Sequence, residues 1–424
     1  MKNRWLIAAS AVGVHISIGS VYAWSVFKKP LAPLMEATPG FQTLKEIVPD
    51  PIGLAFGLAI LFLGLSAAVL GRFVERNGPR ISGMVSACFW AAGLAISGLG
   101  ALHDNLWLLL LGYGVVGGIG LGVGYITPVS TLVKWFPDRR GLATGMAIMG
   151  FGFGSLVGAP VFAKLIAMFG VPQTFFIIAA VYFCVMMASA QYLAAPPQGW
   201  KPAGFEDAIA KGKAKVTFDL TQSTANEAAK TLPFYGLWAM MFINITCGIG
   251  MISIASPMFQ ELFGMEAAAA AGIVGTMALF NGLGRIGWST VSDLLSRPVT
   301  FIMFFSIEFL AYLSLSGMPE FVIFQGLVFL VMTTYGGGFA TLPAYIGDLF
   351  GTKQLGAIHG YVLTAWSLAG IVGPQIAGMG KKIGYHNVLL TFVAMYAVAL
   401  VVSILMRLYV VRAMASKQQS TAAV

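Results

Sequence analysis

The chain has 424 residues, of which 58% are hydrophobic and 10% charged; an ordinary soluble domain carries about a quarter charged residues, so the composition excludes one and leaves a polytopic membrane protein. The formal net charge of +9 would suggest nucleic acid in a soluble domain, but the basic residues collect in loops between apolar runs, as the positive-inside rule expects, and no nucleic-acid partner is assigned. Cys88, Cys184 and Cys247 lie inside apolar runs without CxxC spacing or nearby histidine pairs, which argues against both a disulfide framework and a metal site.

The start, Met1-Lys2-Asn3-Arg4 followed by the apolar run Trp5 to Phe27, is basic like a signal peptide. The run is longer than a signal core and lacks a small-residue cleavage site, so an uncleaved first helix is expected. Apolar runs fall at roughly 5–27, 51–71, 80–101, 106–133, 140–166, 172–194, 233–258, 267–292, 298–317, 320–346, 357–380 and 387–411, each about the length that crosses a bilayer. A polar stretch from Pro196 to Leu232, carrying Lys201, Lys211, Lys213, Lys215 and Lys230, divides them six and six. The expected fold is an all-α membrane protein of twelve transmembrane helices in two pseudo-symmetric six-helix bundles. Its expected domains are residues 1–195, a cytoplasmic linker 196–232 with a short amphipathic helix, a second bundle 233–412, and a cytoplasmic tail 413–424. With the N-terminus inside, about 18 Lys and Arg face the cytoplasm, among them Arg72, Arg76, Arg80, Arg139, Arg140, Arg407 and Arg412, and about six face out. Both termini are therefore expected to be cytoplasmic, in the cell (inner) membrane.

The eighth run holds the most informative residue. It reads Phe280-Asn281-Gly282-Leu283-Gly284-Arg285-Ile286-Gly287 and continues to Asp293. If Asp293 marks the aqueous end, the intervening eight residues are about 12 Å of helix, which puts Arg285 near the bilayer midplane. An arginine there costs roughly 2.5 to 3.5 kcal/mol on insertion scales and normally faces a protein interior or a wet cavity. Of the 25 Lys and Arg it is the one placed that deep, and an anion site is the natural reading. A guanidinium offers a carboxylate a planar, two-pronged fork. Asn281, four residues earlier on the same face, can orient that fork or reach a substrate hydroxyl; helix packing is its alternative use.

Two candidates for proton coupling lie in apolar runs. Glu308 is placed near the centre of the ninth run and His15 midway along the first; histidine titrates near physiological pH. A structural or lipid-shielded role is the equal alternative for Glu308, and a lone histidine on an apolar helix is more often a satisfied core residue. Gly282 to Gly287 satisfies G-x-G-x-x-G, but within an apolar helix and after no strand, so a dinucleotide site is rejected. No Walker, HExxH or GxSxG motif occurs, which disfavours an ATP-driven pump or a hydrolase; no cofactor and no enzyme activity are expected.

After the second run comes Gly71-Arg72-Phe73-Val74-Glu75-Arg76-Asn77-Gly78-Pro79-Arg80, and after the eighth Trp288-Ser289-Thr290-Val291-Ser292-Asp293 followed by Arg297. The first resembles the G-x-x-x-D-R-x-G-R-R loop of the major facilitator superfamily, with Glu75 in place of Asp, and the second resembles a degraded copy. The resemblance implies gating latches at Glu75, Arg76, Arg80, Asp138 and Asp293. Gly19 to Phe27, Gly124 to Gly141, Tyr335 to Pro343 and Leu363 to Ser367 are similar to the oxalate/formate antiporter family. That family neighbours the proton-coupled monocarboxylate (lactate) transporters, whose eighth helix carries a carboxylate-binding arginine; Arg285 matches it.

The resemblance places Tyr22, Tyr125, Tyr335 and Trp366 in helices that line a central cavity, where amphipathic aromatics suit a small hydroxy or keto acid. Two departures stand out. The oxalate exchanger has a lysine where this chain has Trp366, so one cation here suits one carboxylate. Animal monocarboxylate carriers have an acid where this chain has Asn281. The expected function is a secondary transporter of small monocarboxylates of the L-lactate and pyruvate class, proton-coupled, working as a monomer among membrane lipids. An oxalate/formate-type exchanger is the alternative, and a transporter-like carboxylate receptor is the reading from a different class.

Overall fold

The computed structural model describes residues 2–48, 50–197, 199–206 and 219–422. Among the described residues the chain is helical and turn structure, without strands. The long helices are α1 (Arg4–Met35), Leu54–Leu102, α4 (Leu106–Trp135), α5 (Arg140–Phe169) and α6 (Val171–Tyr192), then α7 (Leu232–Phe263), α8 (Ala267–Leu295), α9 (Arg297–Ser316), α10 (Phe321–Phe350), α11 (Leu355–Gly378) and α12 (Tyr385–Ala422).

Leu54–Leu102 is one helix of 49 residues broken at Gly78, whose φ of 75° and ψ of 171° suit glycine, with Pro79 directly after. Proline is at home in the first helical position because its missing N–H has no partner to lose there. At 1.5 Å per residue the helix runs about 74 Å, more than twice the ~30 Å hydrocarbon core. Its arms, residues 54–77 (α2) and 79–102 (α3), are therefore two crossings, and the chain has twelve among the described residues.

The first crossing overruns its expected end at Phe27. Ser20–Trp24 forms a 3-10 turn, and the continuing Ser25–Met35 helix buries Phe27, Leu31 and Met35 on one face. Burial of that face holds the segment helical past Lys28 and Lys29, whose charges had marked the end. Lys28 pairs with Asp50.

Within the linker, residues 207–218, with Lys211, Lys213 and Lys215 and most of the expected amphipathic helix, lie outside the described residues. The part that follows is tied down. Leu220, Thr221 and Ser223 donate backbone N–H groups to the carbonyls of Asp348, Leu349 and Phe350. A capping box of Thr224 and Glu227 starts the one-turn helix Ala225–Ala228; the Thr224 backbone and hydroxyl bonds hold the Glu227 carboxyl below its ordinary range.

Two compact units emerge. One comprises Met1–Trp135, Ala147–Gln198 and His359–Ser367; the other Phe136–Met146, Gly199–Ile358 and Leu368–Val424. The first has Trp90, Trp135, Tyr125, Phe27 and Phe175 wholly buried; the second has Tyr312, Tyr345, Tyr396 and Phe259.

Candidate functional site

In the second unit α8 and α10 meet backbone to backbone. A Cβ on Gly284 would collide with Thr333 O, and one on Gly336 with Asn281 O, so glycine is required at both places. The close approach lays Arg285 against α10, where its Cζ sits 5.4 Å from the centre of the Phe339 ring. Cation–π attraction of this kind is worth about 0.5–2 kcal/mol. Arg285 is 3% exposed and Asn281 7%.

The Arg285 Nε donates to Asn281 Oδ1 at 3.0 Å. This bond between residues four apart on one helix fixes the plane of the guanidinium, and a fixed plane is what a two-pronged carboxylate contact needs. Tyr335 precedes Gly336 and is also buried. Its ring packs on α7 where Gly248 leaves room, and its carbonyl accepts from Asn244 Nδ2 at 3.1 Å. Three of the expected binding residues, Arg285, Asn281 and Tyr335, thus sit together on α8 and α10, braced by α7.

In the first unit the expected His15, Tyr22, Tyr125 and Trp366 converge around Phe151. Ring centres lie 6.1 Å from Phe151 for His15, 5.4 Å for Tyr22, 5.3 Å for Tyr125 and 5.7 Å for Trp366. Tyr22 is aimed there by the 3-10 turn in α1. His15 stacks on Tyr125 at 5.3 Å; its Nδ1 lies 2.6 Å from Ala147 O and its Nε2 3.1 Å from Tyr125 O. Both contacts are hydrogen bonds when both nitrogens carry hydrogen. Sequence reading missed His359, a wholly buried imidazole 5.8 Å from the Tyr125 ring, whose two nitrogens have no hydrogen-bond partner among the described residues. Its one signal was its place seven residues before Trp366, on the same helix face.

The expected latch residues divide. Glu75 accepts from Lys134 Nζ at 2.7 Å, Arg80 donates to Gln191, Arg76 is exposed, and Asp138 lies 3.6 Å from Arg139 Nε. Asp293 is the most engaged. Its carboxylate accepts from the backbone N–H groups of Gly141 and Leu142 at 2.8 and 2.9 Å, capping the start of α5, where the helix dipole favours an anion. It also pairs with Arg297 at 2.5 Å. Arg297 bonds Asp348 at 3.1 Å, and Arg140 bonds Asp348 at 3.0 Å and Asp219 at 2.7 Å. The sequence reading had counted Arg140 only as a loop charge and had given Asp219 and Asp348 no part.

Glu308 does not join the Arg285 group. It is fully buried in α9.

The sequence profile described as Major Facilitator Superfamily matches residues 16–374. The MFS-type transporter YhjX of Escherichia coli (strain K12), itself uncharacterized, is 27% identical over 87% of this chain and 86% of its own. The oxalate:formate antiporter of Oxalobacter formigenes is 26% identical over 92% of this chain and 88% of its own. Among solved structures, the human organic anion transporter MFSD10 (TETRAN) superposes with a TM-score of 0.73 at 12% identity, covering 95% of this chain and 100% of its own.

Proposed function

This chain belongs to the Major Facilitator Superfamily, and from that premise we propose that it is a proton-coupled secondary transporter of small monocarboxylates, of the L-lactate and pyruvate class, working by alternating access. The observation that carries the reading is Arg285: a guanidinium buried in a membrane-spanning helix, its plane set by Asn281 and one face against Phe339. The substrate carboxylate docks on the guanidinium, and its hydroxyl or keto oxygen meets Asn281 or Tyr335. Tyr22, Tyr125 and Trp366 are assigned to the substrate path within the first unit. A tryptophan at 366, where the oxalate-exchanging relatives are expected to hold a second cation, favours one carboxylate over two. Binding neutralises the buried cation, which lowers the cost of moving the site through a low-dielectric environment.

An anion exchanger is the second reading, favoured by the similarity to a protein named as an oxalate:formate antiporter. Purified protein in liposomes separates them. Uptake of labelled lactate into vesicles containing no exchangeable anion, driven by an imposed inward proton gradient, is the expected result; uptake that appears only after anion preloading favours exchange. Orientation follows from loop charge: both termini in the cytoplasm.

A further inference from the structure

Glu308 stands in the middle of α9 with 0% exposure, and its carboxyl oxygens have no well-formed hydrogen bond among the described residues, the Thr334 hydroxyl being the donor beside them. Four helices each bring a neutral group to it. α7 brings Cys247, α10 brings Thr334, α12 brings Tyr396, and α9 itself brings Tyr312 one turn on. Tyr312 donates to Cys247 O at 3.3 Å and its ring lies 5.3 Å from that of Tyr396. The Tyr396 hydroxyl lies beside the Cys247 thiol.

Tyr335 stands between these residues and Arg285. Tyr335 packs on Gly248, the neighbour of Cys247, and interacts electrostatically with Tyr312, Tyr396 and Arg285. A run of phenols therefore leads, inside the second unit, from the guanidinium to the buried acid.

We propose that Glu308 is the group that binds and releases the transported proton. The assignment rests on the proton-coupled reading above and adds its missing carrier. An ionised carboxylate is strongly disfavoured in such surroundings. In the proposed cycle Glu308 is the neutral acid while the substrate carboxylate is docked on Arg285, and it sheds its proton once the substrate has left. The step forms one O–H bond on a Glu308 oxygen with a proton taken from water on one side and breaks it to water on the other, with no change of oxidation state.

The test is Glu308→Gln, an amide of the same shape that has no acidic proton to shed. In liposomes this variant should keep exchange of labelled lactate against internal lactate within about twofold, and lose accumulation under a proton gradient by about tenfold or more. Retained gradient-driven accumulation overturns the assignment. Should the variant not fold, the unaltered protein is treated with dicyclohexylcarbodiimide, which modifies protonated carboxyls in apolar surroundings. Glu308 should be labelled more at acid than at alkaline pH, with uptake lost in proportion; no labelling, or labelling without loss, overturns it equally. The two readings fail differently. Unaltered protein indifferent to a proton gradient removes the symport reading itself, whereas driven unaltered protein with an equally driven variant removes Glu308 alone.

Discussion

At the scale of single residues the reading turns on geometry as much as on charge. Arg285→Ala removes one partner of a buried ion pair, a change that costs about 3–5 kcal/mol, so lactate affinity should fall by more than about a hundredfold while the purified protein keeps its elution profile. Arg285→Lys keeps the charge but not the planar fork; loss of one charge-assisted bond predicts about a tenfold weaker affinity. Asn281→Asp is the sharper probe. It sets a carboxylate where an amide now holds the Arg285 Nε, and that carboxylate competes with substrate. The ionised acid pairs with the guanidinium, so apparent affinity should drop at neutral pH and recover on acidification as the acid is protonated; equal affinity at all pH values would contradict the docking assignment. The burial of Arg285 was legible in the sequence because an arginine deep in an apolar run is costly unless protein surrounds it. Its place over Phe339 was not, because that depends on how closely α8 approaches α10. His359 stayed hidden for the same reason, since a histidine in an apolar run says nothing of what surrounds it.

Among elements, two junctions set where the functional side chains go. The α8–α10 crossing is held by Gly284 and Gly336, and a valine at either forces the backbones apart. Overpacking of this kind costs about 1–3 kcal/mol or more, so Gly336→Val should lower the melting midpoint in detergent and displace Arg285 enough to abolish uptake. The α8–α9 turn carries Ser296 at φ 91°, ψ 150°, a conformation that disfavours any side chain and costs on the order of 1–3 kcal/mol. Ser296→Gly relieves it, and a rise in unfolding temperature is the expected measurement. Spans were legible from apolar run length, including both arms of Leu54–Leu102. Their ends were less so: the overrun of α1 to Met35 arises because Phe27, Leu31 and Met35 bury a face, a tertiary gain that outweighs two exposed lysines.

For the whole molecule, the proposed symport predicts an electroneutral cycle if one proton moves with one monoanion. Initial uptake should respond to a proton gradient and ignore a membrane potential set by potassium and valinomycin; a clear dependence on potential would require another stoichiometry. The twelve crossings and their helical class could be read from composition and periodicity. What escaped that reading was that Arg140, Asp348 and Asp219 join Asp293 and Arg297 in one charge cluster, because these three lie far apart in the chain and each looks alone like an ordinary solvated residue. Asp219 makes the connecting segment more than a tether. When the gene is cut and the two fragments are produced together, a break placed ahead of Asp219 leaves that aspartate on the same polypeptide as Asp348 and should yield active carrier. A break just behind it parts the aspartate from Gln222 and Lys417, which both bond it, and the severed protein should then assemble poorly and lose activity.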